Sequence, residues 1–260
     1  MVPKTFLRSS IAICVVAVSL YSCTTDPLEN VELTHGAITR FNRDIPDIFL
    51  VFTGHEFADG FETIFTNLKE RNIKASFFLT GDFYRDGAFE PIIKELVNAG
   101  HYLGAHSDKH LLYASWDNRD SLLVTKDQFL DDLDANYNEM SIFGISKEKA
   151  PYFLPPFEWY NATIAEWTRS LDLTLINFSP GTDANQDWSY PGEGIHYYNS
   201  DTIFQRILRY EEDDPNGLNG FILLLHIGVD PRRPDKFYHR LPDLIDTLKS
   251  RGYAFRRLPS

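Results

Sequence analysis

The stretch DIFLVFTGHE, Asp47–Glu56, decides the fold class of this chain. Its first part is a continuous apolar run, which is typical of a strand buried on both faces of a parallel sheet. Its last part, Thr53–Glu56, is a short polar cluster at the point where such a strand leaves the core. The stretch therefore predicts a helix-covered sheet whose polar groups gather at the carboxyl ends of the strands.

The same alternation continues along the chain. Apolar residues recur at helical spacing over 61–68, and the segment 91–100 begins with proline and ends with glycine, as helices often do. Further helices are predicted at 128–143, 162–171, 202–210 and 241–251. Further strands are predicted at 74–79, 101–106, 151–154, 173–178, 220–227 and 253–256. About seven β-α units in strict alternation predict a parallel sheet, either closed into a barrel or open and doubly wound.

Polar clusters at the predicted strand ends favour the barrel. They comprise Thr53–Glu56, His106–His110, Pro155–Glu158, Asp187–Trp188 and His226. In a barrel the carboxyl ends of all strands converge on one face, and that face carries the chemistry. The prediction is therefore an α/β barrel with about seven parallel strands. The lack of a glycine-rich phosphate loop after the first strand argues against nucleotide binding.

The composition is that of a globular protein with one large domain. The chain has 260 residues, of which 43% are hydrophobic and 24% are charged, so it can bury a sizeable core. Its formal net charge of −12 argues against nucleic acid as a partner, because phosphates need a basic surface. Nothing in the sequence indicates an oligomeric state.

The N-terminal segment has the pattern of an export signal. Lys4 and Arg8 precede the apolar run Ile11–Leu20, which is too short to span a bilayer. The following LYSC, Leu20–Cys23, resembles a bacterial lipoprotein signal, in which lipid is attached to the cysteine. An ordinary cleaved signal peptide is the alternative.

These features divide the chain into three segments. We predict a signal peptide over 1–22, a lipidated Cys23 with a polar tether over 23–43, and the folded domain over 44–260. The lipid anchor would hold the protein on a membrane of the bacterial cell envelope, at its periplasmic or cell-surface face. Both cysteines lie before the domain, which therefore has no disulfide.

The stretch HSDKH, 106–110, carries two histidines four residues apart, a familiar spacing for metal ligands. Glu56 lies upstream at another strand end, where a third ligand is expected. Structural explanations are open for each candidate. His106 and His110 could cap a helix start, His226 could be a core histidine, and Asp187 could be an ordinary loop residue.

Together the motifs resemble those of the NodB-homology polysaccharide deacetylases, a carbohydrate esterase family with a distorted (β/α) barrel. HSDKH matches the family's pair of histidine ligands. LPPF, 154–157, matches its proline-rich motif except that Leu154 replaces an arginine. QDW, 186–188, and LLLH, 223–226, resemble its Asp…Trp motif and its late histidine motif. The resemblance covers residues 44–260.

The first motif of the family is the one from which this sequence differs most. It reads TFDD, in which one aspartate is the general base and the next is a metal ligand, whereas TGHE, 53–56, stands here. In the alignment that we favour, Glu56 is the ligand and His55 takes the position of the base. A shift of one residue instead makes His55 the ligand and leaves the base position to Gly54.

The resemblance implies a metal-dependent hydrolase that removes acetyl groups from a carbohydrate. The implied metal ligands are Glu56, His106 and His110, a set that suits zinc and also cobalt, nickel or iron. The alternative is a catalytically impaired lipoprotein that keeps the fold and binds glycans, since Gly54, His55 and Leu154 depart from the family pattern.

The resemblance also implies roles for residues around the metal. His226 would protonate the leaving group, Asp187 is a further catalytic candidate, and His55 or else Glu158 would accept a proton from the attacking water. Residues expected to contact the substrate are Pro155, Phe157, Glu158, Trp159 and Trp188, with Trp116 and Tyr160 extending an aromatic surface for sugar rings.

Overall fold

The structure is a computed structural model, which describes Met1 and residues 26–259. The predicted signal peptide and the lipidation site at Cys23 lie outside the described residues. The strands are β1 Glu32–Thr34, β2 Ala37–Arg40, β3 Asp47–Gly54, β4 Ser76–Leu79, β5 Tyr102–Ala105, β6 Tyr152–Phe153, β7 Thr174–Leu175, β8 Phe221–His226 and β9 Ala254–Arg256. The helices are α1 Phe61–Glu70, α2 Gly81–Arg85, α3 Glu90–Asn98, α4 Lys126–Ile142, α5 Ala162–Arg169, α6 Ser200–Asp213 and α7 Leu241–Ser250.

The strands form one curled, mixed sheet in the order β1-β2-β8-β3-β4-β5-β6-β7, and β9 pairs with the first half of β3. Strands β3 to β9 are linked by parallel pairings, so the predicted set of seven parallel strands is confirmed. A bridge between Ile38 and Ile176, with the Asn177 amide donating to the Ile38 carbonyl at 2.8 Å, joins β2 to the chain after β7. This contact brings the two ends of the sheet together as a distorted barrel.

Strand β3 forms the centre of the core. Ile48–Phe52 are at most 3% exposed, because β3 pairs with β8 on one side and with β4 and β9 on the other, and its side chains lie in the hydrophobic core. Full burial of one such side chain stabilises the fold by about 1.5–3 kcal/mol. The continuous apolar run at 48–52 thus has the environment that its sequence predicts.

The region assigned to a tether, 23–43, is partly folded, which corrects that assignment. Residues 32–40 form the hairpin β1–β2, and β2 pairs antiparallel with β8 through Arg40 and Phe221. Ala37 and Phe41 are fully buried. The two strands are short and β2 ends in arginine, so their sequence lacks the long apolar run that marks β3 and β8.

Arg40 is the largest polar side chain in this part of the core. It is 1% exposed, and its guanidinium donates to the carbonyls of Asn219 at 2.8 Å and Gly217 at 2.7 Å. It also donates to the Tyr210 hydroxyl at 3.0 Å and lies 3.4 Å from the Asp214 carboxylate. Arg40 therefore ties the β1–β2 hairpin to the turn before β8.

None of the helices in the described part of the chain is long and apolar enough to cross a membrane.

Replacing Arg40 by methionine should lower the free energy of unfolding by about 3 kcal/mol, since it leaves the carbonyls of Gly217 and Asn219 without their buried donor. Urea denaturation measures the loss. Arg43→Met is the matched control, because Arg43 also pairs with Asp214 but is 33% exposed, and should lose less than about 1 kcal/mol. Equal losses in the two variants would contradict the role given to Arg40.

Candidate active site

The candidate site lies at the carboxyl ends of the parallel strands. Thr53 of β3 is the register partner of His226, the last residue of β8, and Gly54 is the partner of Leu79 in β4. Ala105 ends β5 in register with Leu79, immediately before the HSDKH loop. The fold thus brings the polar ends of β3, β5 and β8 to one rim, as the sequence predicted.

Three histidines cluster at this rim. The rings of His55 and His110 stack with their centroids 4.7 Å apart and their planes 9° from parallel. The ring of His106 lies 5.1 Å from that of His110. His106 Nδ1 donates to the Leu154 carbonyl at 2.8 Å, because a carbonyl can only accept, and this leaves Nε2 available to a ligand. Burial, followed by the neighbouring histidines, lowers the pKa of His110 to about 2.

Two buried polar side chains of α4 hold the HSDKH loop. Asp132 accepts hydrogen bonds from the amides of Asp108 and Lys109, at 3.3 and 3.1 Å, and from the Tyr113 hydroxyl at 2.6 Å. Asn136, one helical turn later, accepts from the His106 amide at 2.9 Å and donates to the Leu79 carbonyl at 3.3 Å. Sequence reasoning missed both residues, although the signal was present as polar residues spaced i, i+4 beside an apolar stripe.

The HSDKH loop also needs unusual backbone geometry and close packing. Ser107 and His110 have φ values of 76° and 54°, in the left-handed region that non-glycine residues rarely adopt. Gly81, the first residue of α2, permits the approach of Asp108, since a Cβ there would lie 1.8 Å from Asp108 Oδ1. The histidine pair therefore depends on a strained loop held from two sides, which is common at functional sites.

His55, rather than Glu56, lies against the histidine pair. The Glu56 side chain is 68% exposed, and its carboxylate is 3.9 Å from His55 Nε2. His55 is half-buried, and its Nδ1 lies 3.1 Å from Thr80 Oγ1. This arrangement corresponds to the alignment in which His55 is the third ligand, not to the favoured one in which Glu56 is.

In that alignment the position of the family's base falls on Gly54. A Cβ at Gly54 would lie 2.7 Å from Ile227 Cγ2 and 2.8 Å from Leu79 Cδ2, so a side chain there requires its neighbours to move. Leu154, in the place of the family's arginine, is fully buried. Both positions are apolar and closely packed, and neither supplies a charge to the site.

The histidine cluster fits a divalent metal in its donor types but is not arranged as a closed ligand set. No group of three or more His, Cys, Asp or Glu side chains in residues 26–259 is positioned to hold a metal ion. The face-to-face stacking of His55 on His110 explains this, because stacked rings do not direct their nitrogens to one point. The bond from His106 Nδ1 to a backbone carbonyl is nevertheless the kind of contact that fixes the tautomer of a metal-ligating histidine.

Asp187 and His226 form a buried pair on the same rim. Asp187 Oδ1 lies 2.6 Å from His226 Nδ1, and Oδ2 accepts from the His226 amide at 3.0 Å. Burial lowers the pKa of His226, but the charge and hydrogen bond of Asp187 outweigh it, so the net shift is upward. The pair can therefore hold a proton on the imidazole. Asp187 lies in the short 3-10 helix Ala184–Trp188 and not at the end of a strand.

Glu158 is a second carboxyl group at this rim. Burial, as the largest influence, raises its pKa to about 7; the charge of His226 and a hydrogen bond to Asn185 act against this shift, and the charge of Asp187 adds to it. Phe157 and Glu158 have φ values of 58° and 52°, and two consecutive left-handed residues cost about 1–2 kcal/mol each. The turn is held by Asn177 Nδ2, which donates to the Glu158 carbonyl at 2.8 Å.

Aromatic side chains extend from the histidine cluster over the surface. Phe157 is 43% exposed and its ring lies 4.4 Å from that of His110. Trp116, 55% exposed, lies 5.9 Å from Phe157 and 5.0 Å from Trp159, on whose ring Arg119 stacks at 3.4 Å. We call Phe157, Trp116 and Trp159 the aromatic ridge.

The other residues predicted to contact the substrate differ in their exposure to solvent. Trp188 follows Asp187 and is 37% exposed, whereas Pro155 is buried. Tyr160 does not extend the aromatic ridge, because it is buried and its hydroxyl donates to the Thr34 carbonyl at 2.9 Å.

Replacing Asp187 by asparagine should lower the pKa of His226, because burial is then opposed by the charge of Glu158 without the charge and hydrogen bond of Asp187. Titration of the imidazole by NMR measures the change. His101 serves as an internal control, since burial holds its pKa at about 4 independently of Asp187. An unchanged His226 titration would show that the pair does not hold the proton.

The chain has recognisable relatives. The family profile described as polysaccharide deacetylase matches residues 44–176, slightly more than half of the chain. A peptidoglycan-N-acetylglucosamine deacetylase of Bacillus cereus is 27% identical over 212 residues, which cover 78% of this chain and 66% of that protein. The chain spans about two thirds of the length of the curated relatives that it matches.

Solved structures of family 4 carbohydrate esterases share the fold. A pseudoenzyme of that family from Bacillus anthracis has a TM-score of 0.67 at 20% identity, with 87% of this chain and 68% of that chain covered. An acetyl xylan esterase from Clostridium thermocellum, solved with a cobalt ion, has a TM-score of 0.60 at 24% identity, with coverages of 81% and 87%. The distorted (β/α) barrel and the resemblance seen in the motifs are thereby confirmed, and with them the hydrolase class of the family. The chain belongs to the polysaccharide deacetylase family.

Proposed function

We propose that this chain is a metal-dependent hydrolase that removes acetyl groups from a carbohydrate. The observation that carries the proposal is the meeting of His55, His106 and His110 on the same rim as the Asp187–His226 pair. The first group supplies donors for a divalent metal, and the second supplies a proton donor. Amide or ester hydrolysis needs both kinds of group within reach of one acyl carbon.

The metal site in this proposal consists of His55, His106 and His110. Three neutral imidazoles suit zinc first, with cobalt, nickel or iron as alternatives. When bound, a divalent ion polarises the acyl carbonyl and makes nearby water more acidic. Reorientation of the His55 ring from its stack on His110 would complete the set. Glu56 is the alternative third ligand and would have to turn inward from solvent.

Proton transfer falls to the residues of the chain. As the bond between the acyl carbon and the leaving nitrogen or oxygen breaks, His226 donates its proton to the leaving atom. Asp187 keeps the imidazole oriented and favours its protonated form. The proton lost by the attacking water needs an acceptor, and Gly54 offers none. With His55 among the metal ligands, Glu158 is the remaining titratable side chain for this role.

The substrate side of the proposal is an acetylated glycan. The aromatic ridge lies beside His110, and aromatic faces bind the apolar faces of sugar rings. The curated relative from Bacillus cereus is described as acting on peptidoglycan N-acetylglucosamine, which makes cell-wall sugars the first class to test.

A catalytically impaired glycan-binding protein is the second candidate. Two specific observations favour it, the tight packing around Gly54 and the buried Leu154 in the place of an arginine. Such a protein would keep the aromatic ridge and bind acetylated glycans without turning them over.

Acetate release from acetylated glycans, with and without added zinc or cobalt, tests the proposal. The wild-type protein should release acetate, and His110→Ala should be slower by at least about 100-fold, since metal assistance contributes several kcal/mol and 1.4 kcal/mol is tenfold in rate. Metal content should fall in parallel in His106→Ala and His110→Ala. His239→Ala, which removes an exposed histidine elsewhere, should retain both activity and metal.

Two outcomes would decide against the proposal. A wild-type protein that binds the glycans yet releases no acetate would support the binding protein instead. Stoichiometric metal retained by His106→Ala and His110→Ala would remove these residues from the metal site.

We further propose that the protein is a lipoprotein anchored at Cys23 in the cell envelope, where glycans are accessible. The support is the LYSC stretch after a short apolar run. Cys23→Ser should move the expressed full chain from the detergent phase to the aqueous phase, because the lipid attachment site is lost. Cys14→Ala is the control and should still partition into detergent. If Cys23→Ser partitions like the wild type, the anchor is not at Cys23.

A further inference from the structure

Glu158 combines three properties that are separate in the rest of the rim. It is a carboxyl group, it lies in a turn with two left-handed residues, and its charge interacts with those of Asp187 and His226. The adjacent Phe157 ring lies 4.4 Å from that of His110, so the same turn reaches both the histidine cluster and the proton donor.

The turn at Glu158 is built to hold this position. The Glu158 amide donates to the Pro155 carbonyl at 3.1 Å, and Asn177 Nδ2 donates to the Glu158 carbonyl at 2.8 Å. The carboxyl group is hydrogen-bonded to Asn185, which lies in the turn that also carries Asp187. A strained backbone that is held from several sides is characteristic of groups positioned for chemistry.

The environment of Glu158 also gives it the acid–base strength that catalysis at neutral pH requires. Burial is the largest influence and raises its pKa to about 7, the charge of His226 opposes this, and Asp187 adds to it. An efficient general base has a pKa close to the working pH. The Asp187 carboxylate, by contrast, is engaged at both oxygens by His226.

We propose that Glu158 is the general base of the deacetylation, in place of the side chain missing at Gly54. This inference rests on the proposed function. The water oxygen bonds to the acyl carbon while its proton passes to the Glu158 carboxylate. The bond to the leaving nitrogen or oxygen then breaks, and that atom takes the proton of His226. Acetic acid and the free amine or alcohol leave, and Glu158 returns one proton to His226 through solvent.

The test compares Glu158→Gln with the wild-type protein. Glutamine keeps the size and hydrogen-bonding capacity of the side chain but cannot accept the proton, so kcat should fall by about 10²–10⁴-fold with little change in KM. Metal content and unfolding midpoint should be unchanged. Glu166→Gln, which makes the same change on the exposed side of α5, should keep full activity.

Three further measurements separate a base from a residue that only supports the fold. In wild type, activity should rise with pH through about 7, because Glu158 must be ionised, and that rise should be absent in Glu158→Gln. In Glu158→Ala, which leaves space at the site, added formate should restore part of the lost rate. In the metal-free protein, Glu158→Gln should lower the pKa of His226, since the Glu158 charge helps to raise it.

The outcomes distinguish this inference from the proposed function. Acetate release by wild type that is lost in Glu158→Gln and restored by formate in Glu158→Ala supports both. If Glu158→Gln releases acetate at a rate within about threefold of wild type, and its activity rises with pH in the same way, Glu158 is not the general base. The proposed deacetylase function is then unaffected. No acetate release by wild type overturns both.

Discussion

The pairing of β3 with β8 is the interaction on which the site depends. The two strands are in parallel register over six residue pairs, from Ile48–Phe221 to Thr53–His226, and are buried together at the centre of the sheet. Because both faces of these strands are buried, a slip of one residue would exchange side chains between two differently packed environments, so close packing fixes the register. Apolar packing in the core therefore brings His226 and the segment with His55 to the same rim. No direct contact between the two side chains is needed.

A second constraint acts below the rim, where α4 presents Asp132 and Asn136 to the HSDKH loop. These side chains satisfy backbone amides that no strand pairs, and an unsatisfied buried amide would cost about 1–3 kcal/mol. The strained φ values of Ser107 and His110 persist because these bonds and the close approach at Gly81 leave the loop few alternatives. Helix α4 is therefore less amphipathic in sequence than the other long helices, since part of its buried face is polar.

The sequence predicted the elements whose pattern is repeated and apolar, and it failed where burial or register is decided by distant residues. The run at 48–52 and the helical spacing at 61–68 were sufficient for β3 and α1. The hairpin β1–β2 was missed, because Arg40 resembles a surface residue until its partners near β8 are known. The choice between His55 and Glu56 depends on a shift of one residue, which local sequence cannot resolve. The raised pKa of Glu158 arises from burial by segments remote in sequence.

The departures from the family pattern are coupled through charge. With His55 in place of an acidic ligand, the cluster of His55, His106 and His110 carries no negative charge to balance a divalent ion. Gly54 stands in place of the family's aspartate and Leu154 in place of its arginine. One negative and one positive charge are therefore absent, and the net charge of the site is unchanged by the two replacements together. Glu158 and Asp187 are the carboxyl groups whose charges raise the pKa of His226, and they would place negative charge near a bound ion without ligating it. Three neutral ligands would leave such an ion more electrophilic, and Glu158 would accept the proton from outside the ligand set, as the aspartate base does in the family pattern.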